Sequence, residues 1–310
     1  MRIGLTGSGS SIDKLVNQAQ QAEADGFASL WYASGVAGDP LVAMALAGRA
    51  TTSIELGTAV LQTYPCHPLL QVNRVVAAAN AMGRPGLALG LGPSHAPVVE
   101  HVLGLSYDHP GRNTEEYLRI VAHLLRDGAL DFDGTDWSVH SGERAARPEH
   151  PIPLLLSALS PRMVRIAGQF ADGVVLWMAP RTAIANEIVP RLQEVASAAG
   201  RAEPRVVAGV PVAVHTDIDA AREAVAATAT SYAGMVNFRR IMATGGATSP
   251  ADVAVIGDEA AVRIQLEALV EAGVTDVWAQ PVAVGADRAR RQESLRRTRQ
   301  LLTALATDDT

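Results

Sequence analysis

Lysine is almost missing from this chain. Lys14 is the only one among 310 residues. It falls in the first turns of an expected surface helix, far from the C-terminal end of any expected strand. A Schiff-base aldolase, a pyridoxal-phosphate enzyme and a P-loop NTPase each need a well-placed lysine, so all three classes drop out. Cysteine is as scarce. Cys66 stands alone, which excludes an intramolecular disulfide and any cysteine-built metal or iron–sulfur site. Aromatic residues make up only 4% of the chain, and no apolar run reaches the 18 or so residues of a membrane span. The net charge of −6 argues against a nucleic-acid partner, which would favour a basic face. The histidines show no HExxH or HxH spacing, so no metal is expected, and no Gly-x-Ser-x-Gly elbow marks a serine hydrolase. The first residues read as a strand entering a loop, without the apolar core and cleavage site of a signal peptide. A cytoplasmic protein is expected.

Hydrophobic residues make up 48% of the chain, enough for a large α/β core. Three stretches share one grammar: Ala22-Glu-Ala-Asp-Gly26 before Phe27, Gly168 through Gly173 before Val174, and Val270-Glu-Ala-Gly273 before Val274. Each reads as a helix stopped by glycine and followed at once by a short apolar strand. Asp39-Pro40, His67-Pro68 and Ser160-Pro161 each put proline where the first turn of a helix begins. Strands are expected at 2–6, 27–33, 54–61, 86–91, 152–157, 174–178, 206–214 and 275–280. Helices are expected at about 11–25, 39–51, 67–82, 113–126, 161–170, 181–199, 218–232, 258–272 and 287–305. This alternation points to an α/β fold, a (β/α)8 TIM barrel in one domain over residues 1–310, with an open doubly wound sheet as runner-up. Two insertions interrupt it: 127–150, a polar hairpin turning at Asp133-Gly134, and 232–257, an extended excursion suited to a lid or an interface.

The most informative stretch is Leu87-Ala-Leu-Gly-Leu-Gly-Pro-Ser-His95. A buried strand ends in a bare turn and then delivers two polar side chains at the end of a barrel strand where ligands bind. Its two glycines let a flat or anionic ligand approach the main chain. Ile54-Glu-Leu-Gly-Thr-Ala-Val-Leu61 with the following Gln62 to Pro68, Gly90-Leu-Gly-Pro-Ser-His95, Leu154 to Pro161 and Ala171-Asp-Gly173 occur in the order and spacing of one family. Together they resemble the luciferase-like flavin and deazaflavin enzymes. The Gly-Pro-Ser-His turn and Ser-Ala-Leu-Ser-Pro-Arg-Met run look most like the branch that uses coenzyme F420, with FMN as the alternative cofactor.

The resemblance implies a bulge at Gly57-Thr58-Ala59-Val60 with a cis Ala59–Val60 peptide, backing the central ring of the cofactor. It implies a ring edge near Ser34 and against Gly92 and Pro93, and a phosphate against the backbone of Ala158, Leu159 and Ser160. A helix start suits an anion, although ordinary N-capping is the commoner use of Ser-Pro. Ser94 and His95 are the candidate catalytic residues, His95 as a donor to a ring carbonyl or to substrate; a solvated loop histidine is the competing reading. Trp31, Trp177 and Trp278 are candidate walls of an apolar pocket, with Trp177 the best placed and Trp31 read as core, and His215 and Gln280 also fall near strand ends. Ala33-Ser34-Gly35 departs from the Asp-His pair of the family's sugar-phosphate dehydrogenases, and Pro93 stands where those enzymes carry an acidic residue. The expected activity is hydride transfer between F420 and a small-molecule substrate. An FMN monooxygenase, a cofactor-binding protein without turnover and a phosphate-dependent isomerase barrel are the rivals, and a homodimer is implied. Glu55 is expected to face a helix and pair with an arginine such as Arg49.

Overall fold

The computed structural model describes residues 1–307. Eight parallel strands close into a barrel: β1 (Arg2–Gly7), β2 (Ser29–Tyr32), β3 (Glu55–Thr58), β4 (Leu87–Gly92), β5 (Leu154–Ser157), β6 (Gly173–Trp177), β7 (Arg205–Val214) and β8 (Asp276–Pro281). Each pairs with the next, and β8 returns to β1 with Arg2 opposite Asp276. The fold is a (β/α)8 TIM barrel. Around it run α1 (Ile12–Ala24), α2 (Pro40–Arg49), α3 (Pro68–Met82), α4 (Pro110–Asp127), α5 (Pro161–Phe170), α6 (Val189–Ala198), α7 (Ile218–Thr228), α8 (Val236–Thr244), α9 (Glu259–Glu271) and α10 (Arg288–Thr307). Leu15, Ala19 and Ala22 of α1 and Val72, Val75 and Val76 of α3 belong to the buried apolar layer between strands and helices. No described helix is long and apolar enough to cross a membrane.

The local chemistry follows the sequence closely. Asp39 and Ser160 cap α2 and α5 by accepting the N–H of Leu41 and Met163, each with proline in the first turn. Gly26 and Gly273 take φ of 83° and 94°, the left-handed stop that the pattern requires. Gly173 is different. It opens β6 in an extended conformation, and a Cβ there would run into the backbone of Arg205. Close strand packing, not a helix stop, requires that glycine. The helix expected at 181–199 is broken into Arg181–Ala183, a π-turn over Ile184–Ile188, and α6. Pro190 has no N–H for the α-ladder, which is why the turn widens.

The insertions are also corrected in detail. The first is a hairpin of Asp131–Asp133 against Ser138–His140, but its loop runs from Gly134 to Trp137 and is not a tight turn at Asp133-Gly134. Glu116 of α4 holds that loop by accepting the N–H groups of Thr135, Asp136 and Trp137 at 2.9, 2.8 and 3.0 Å. The second insertion is helical where an extended excursion was expected. It contains Thr230–Ala233, α8 and a 3-10 turn at Pro250–Asp252, and ends in a strand, Val255–Gly257, that pairs in parallel with β7.

The N-terminal mouth of the barrel is closed by charge. Arg2, Glu55, Arg205 and Asp276 are the first residues of β1, β3, β7 and β8, so closure of the barrel brings them together. Arg205 donates to both oxygens of Glu55 at 3.1 and 2.9 Å and to Asp276 at 2.7 Å; Arg2 donates to Asp276 at 2.7 Å. Glu55 therefore faces the barrel axis and not a helix, while Arg49 donates to the carbonyl of Ala81. Burial alone would raise the Asp276 carboxyl, but Arg205, together with Arg2 and the Thr275 hydroxyl, outweighs it and holds the group below the usual range. Arg205→Met leaves two enclosed carboxylates short of their main cation and is expected to cost about 3 kcal/mol in urea unfolding at neutral pH. Burial then dominates at Asp276 and raises its pKa, so the variant is expected to regain part of that stability as pH falls towards the carboxylate range. A wild-type-like midpoint would count against the network.

Candidate active site at the C-terminal mouth

The opposite mouth holds a cavity of about 260 Å³. It begins where β3 breaks. Gly57 lies opposite Ala88 and Leu61 opposite Leu91, so Thr58, Ala59 and Val60 on one strand face only Leu89 and Gly90 on the other. One extra residue makes a β-bulge, and the Ala59–Val60 peptide is cis. The hydroxyl of Thr58 spans the gap: it donates to the carbonyl of Gly90 at 2.8 Å and accepts the Gly90 N–H at 2.9 Å. A Cβ at Gly90 would strike the carbonyl of Thr58, so that glycine serves strand packing. Gly92 is the one of the pair that reaches the cavity, where a Cβ would lie 2.7 Å from Val60 Cγ2 and 3.2 Å from the Ser157 side chain.

One wall is therefore backbone and small side chains: Ala59, Val60, Gly92 and Pro93, with Ser157, Leu159 and Ser160 beyond. The other is aromatic. Trp31, Trp278 and Trp177 stack in a column, with centroids 6.3 Å and then 5.2 Å apart and ring planes within 21° and 19°. The indole of Trp31 fills the place of a Cβ at Gly57, and Trp177 and Trp278 together fill that at Gly209. Trp31 is fully buried and donates to Ser29 Oγ, whereas Trp177 and Trp278 reach the cavity. The Trp177 N–H is enclosed without a hydrogen bond of normal geometry, the Tyr232 hydroxyl being only loosely placed against it.

Ser94 and His95 enter from the turn after β4. Ser94 has φ 63°, a conformation that costs a non-glycine residue energy and recurs at binding sites. Gln62 Nε2 holds its hydroxyl at 3.2 Å and Tyr107 OH holds its carbonyl at 2.9 Å. Met178, just past β6, is also left-handed at φ 50°. The His95 ring lies 5.9 Å from that of Phe238, and burial pushes its imidazole below the usual 6.5. Burial thus favours its neutral form.

Of the residues singled out in the sequence, Ala59, Val60, Gly92, Pro93, Ser94, His95, Leu159, Ser160 and Trp177 line this cavity. Thr58 and Ala158 are buried behind it. Ser34 is not among the residues lining the cavity, whereas its neighbour Ala33 is. Gln280 is at the cavity, while His215 pairs with the backbone of Asp217 beside α10. Arg162, beside the start of α5, reaches Glu115 at 3.6 Å. Thr6, Ser157, Tyr232, Asn237 and Phe238 were missed. The last three come from the second insertion, and only the length of that segment hinted at a role.

A family model for luciferase-like monooxygenases matches residues 2–276. The chain belongs to that family. An F420-dependent glucose-6-phosphate dehydrogenase of Kineococcus radiotolerans is 28% identical over 227 residues, 67% of this chain and 66% of that protein's length, so just under two thirds of the relative is spanned. An F420-dependent secondary alcohol dehydrogenase solved with an F420–acetone adduct superposes with a TM-score of 0.76 at 18% identity, over 97% of this chain and 98% of the other. The oxygenating component of the 3,6-diketocamphane monooxygenase of Pseudomonas putida, solved with FMN, gives 0.71 at 19% identity over 99% and 98%. These last two likenesses establish the shared fold of this luciferase-like chain.

Gly92→Ala is expected to drive Val60 into the cavity. Titration with a flavin or deazaflavin should show binding weaker by about tenfold, with circular dichroism unchanged. Undiminished binding would mean that the ring does not lie against this wall.

Proposed function

We propose that this luciferase-like protein is an F420-dependent oxidoreductase that transfers a hydride between the deazaflavin and a small organic substrate. The observation that carries the reading is the slot itself, with the bulge at Ala59–Val60 and Gly92 on one side and the Trp177–Trp278 stack on the other. Its shape and apolar surface suit a flat tricyclic ring. Ser160, at the start of α5, opens onto the same cavity, and the positive end of the helix dipole there suits a cofactor phosphate. Coenzyme F420 supplies, when bound, hydride chemistry in two-electron steps. The chain's share is to orient and to move a proton. Thr58 braces the bulge, Gly92 and Pro93 border the ring, and Leu159 and Ser160 hold the phosphate with Ala158 behind them. Trp177 covers the substrate side. Ser94, fixed by Gln62 and Tyr107, and His95 are the polar groups on hand for the reacting atoms. The F420-dependent relatives support this assignment; the FMN-containing neighbour supports FMN as the second reading.

The substrate reading follows from charge. No lining residue of the cavity is Asp, Glu, Lys or Arg. Away from the start of α5, a phosphate group on the substrate would lie there without a cation or a helix end, a costly burial. We therefore assign a neutral carbonyl compound or alcohol, and not a sugar phosphate. A homodimer belongs to the same proposal, supported by Val42, Leu46 and Leu70, which stay exposed on the adjacent helices α2 and α3.

Side-by-side fluorescence titration with F420 and FMN tests the cofactor. Saturable F420 binding with turnover of neutral ketones, and none of glucose-6-phosphate, is expected. FMN binding with oxygen consumption on reduction would overturn the reading, and F420 binding without turnover of any substrate would make the chain a cofactor-binding protein. His95→Ala is expected to slow reduction about 100-fold. Because the His95 pKa lies below 6.5, its protonated form grows as pH falls, so wild-type reduction is expected to quicken on acidification. In the variant that limb should vanish; an identical pH profile would remove His95 as the donor.

A further inference from the structure

The three stacked indoles differ in what their N–H groups do. Trp31 donates to Ser29 Oγ at 2.9 Å and Trp278 to Thr6 Oγ1 at 2.7 Å. Trp177, the last of the column and a lining residue of the cavity, is enclosed without such a partner. The group against its N–H is the Tyr232 hydroxyl, which accepts only a weak hydrogen bond from it. That contact uses a lone pair of the hydroxyl and leaves its proton unspent. Tyr232 lines the cavity, and among the described residues nothing accepts that proton. Burial raises the Tyr232 phenol above its ordinary value by more than the Trp177 contact lowers it, so the group stays a donor at neutral pH. The residue is also held in place. Its backbone N–H donates to the carbonyl of Ala229 and its carbonyl accepts the N–H of Met235, both at 3.0 Å. Phe238 meets its ring edge-on at 4.9 Å between centroids and lies 5.9 Å from the ring of His95.

We propose that the Tyr232 hydroxyl is the anchor for the substrate's oxygen: it donates a hydrogen bond to the carbonyl or alcohol oxygen of a neutral substrate, and Trp177 positions it. The inference rests on the hydride-transfer reading above and adds the group that recognises the substrate. With one lone pair turned to the indole, the hydroxyl proton is directed away from Trp177. A neutral donor suits an uncharged lining. It holds a carbonyl oxygen, and holds it more strongly as negative charge gathers there, without placing an ion in an apolar slot. A compound of the same shape without the oxygen leaves the hydroxyl unpaired, so the site discriminates against it. The second insertion, which supplies Tyr232, then acts in substrate selection as well as in enclosing the cavity.

The preference for oxygen tests this on the full chain loaded with F420. Small neutral ketones, cyclohexanone among them, are compared by calorimetry with the alkenes that carry a methylene group in place of the oxygen. The wild-type complex is expected to bind at least one ketone about tenfold more tightly than its alkene. Tyr232→Phe is expected to erase that difference while alkene and F420 affinities stay as they were. Trp177→Phe is expected to narrow the ketone preference when Tyr232 is present and to change it no further in the Tyr232→Phe background, as a positioning residue should. A ketone preference that survives in Tyr232→Phe would overturn the anchor. Equal losses for ketone and alkene would also overturn it, since the tyrosine would then only wall the pocket. A Trp177→Phe effect of the same size with and without Tyr232 would overturn the positioning role. A wild-type complex that binds F420 but no ketone ahead of its alkene would overturn the anchor and leave the cofactor reading standing. Wild-type protein that does not bind F420 would overturn the deazaflavin reading and the inference with it.

Discussion

The cavity depends on one side chain standing in for a strand. Where β3 leaves the sheet, the Thr58 hydroxyl takes both the N–H and the carbonyl of Gly90, the groups that a regular ladder would have paired with backbone. Left buried and unpaired they would cost the barrel more than the bulge allows. With them satisfied, Ala59 and Val60 are free to turn into the barrel mouth, and pairing resumes at Leu61 and Gln62. The glycine at 90 follows from the same contact, because the Thr58 carbonyl occupies the position of its Cβ. Gly92 then comes to the surface as bare backbone two residues later.

Charge and apolar surface are separated along the barrel axis. At the N-terminal mouth, four strand-opening residues neutralise one another, with Asp276 only 2% exposed. Above them the tryptophan column fills the interior, its rings lying over glycines of β3 and β7. At the C-terminal mouth the lining is uncharged apart from what His95 carries on protonation. A stable network at one end allows the other end to keep left-handed Ser94 and Met178 and an open cavity. This division is the usual one for barrels, with stability residues below and ligand groups above.

The second insertion connects the site to the rest of the molecule. Tyr232 and Phe238 meet at 4.9 Å between centroids, and Tyr232 reaches Trp177 at 6.2 Å, so the aromatic wall is completed from outside the barrel.

The sequence by itself determined the order and kind of the elements. Proline at the first turn of α2, α3 and α5 and glycine at Gly26 and Gly273 act through local backbone geometry, which no distant contact needs to supply. The strands are legible because burial on both faces makes them apolar runs. The bulge and the helix start at Ser160 were legible through family motifs that lie close together in the chain. Only the tertiary structure decided what depends on distant partners. Glu55 meets Arg205 because the barrel closes, not because of any spacing. Gly173 answers to the backbone of Arg205, and Gly90 to Thr58. Tyr232, Asn237 and Phe238 reach the cavity only after the second insertion has folded back over the mouth. Capping and periodicity act within a few residues, whereas the contacts that build the charged mouth and the cavity wall join positions tens to more than a hundred residues apart.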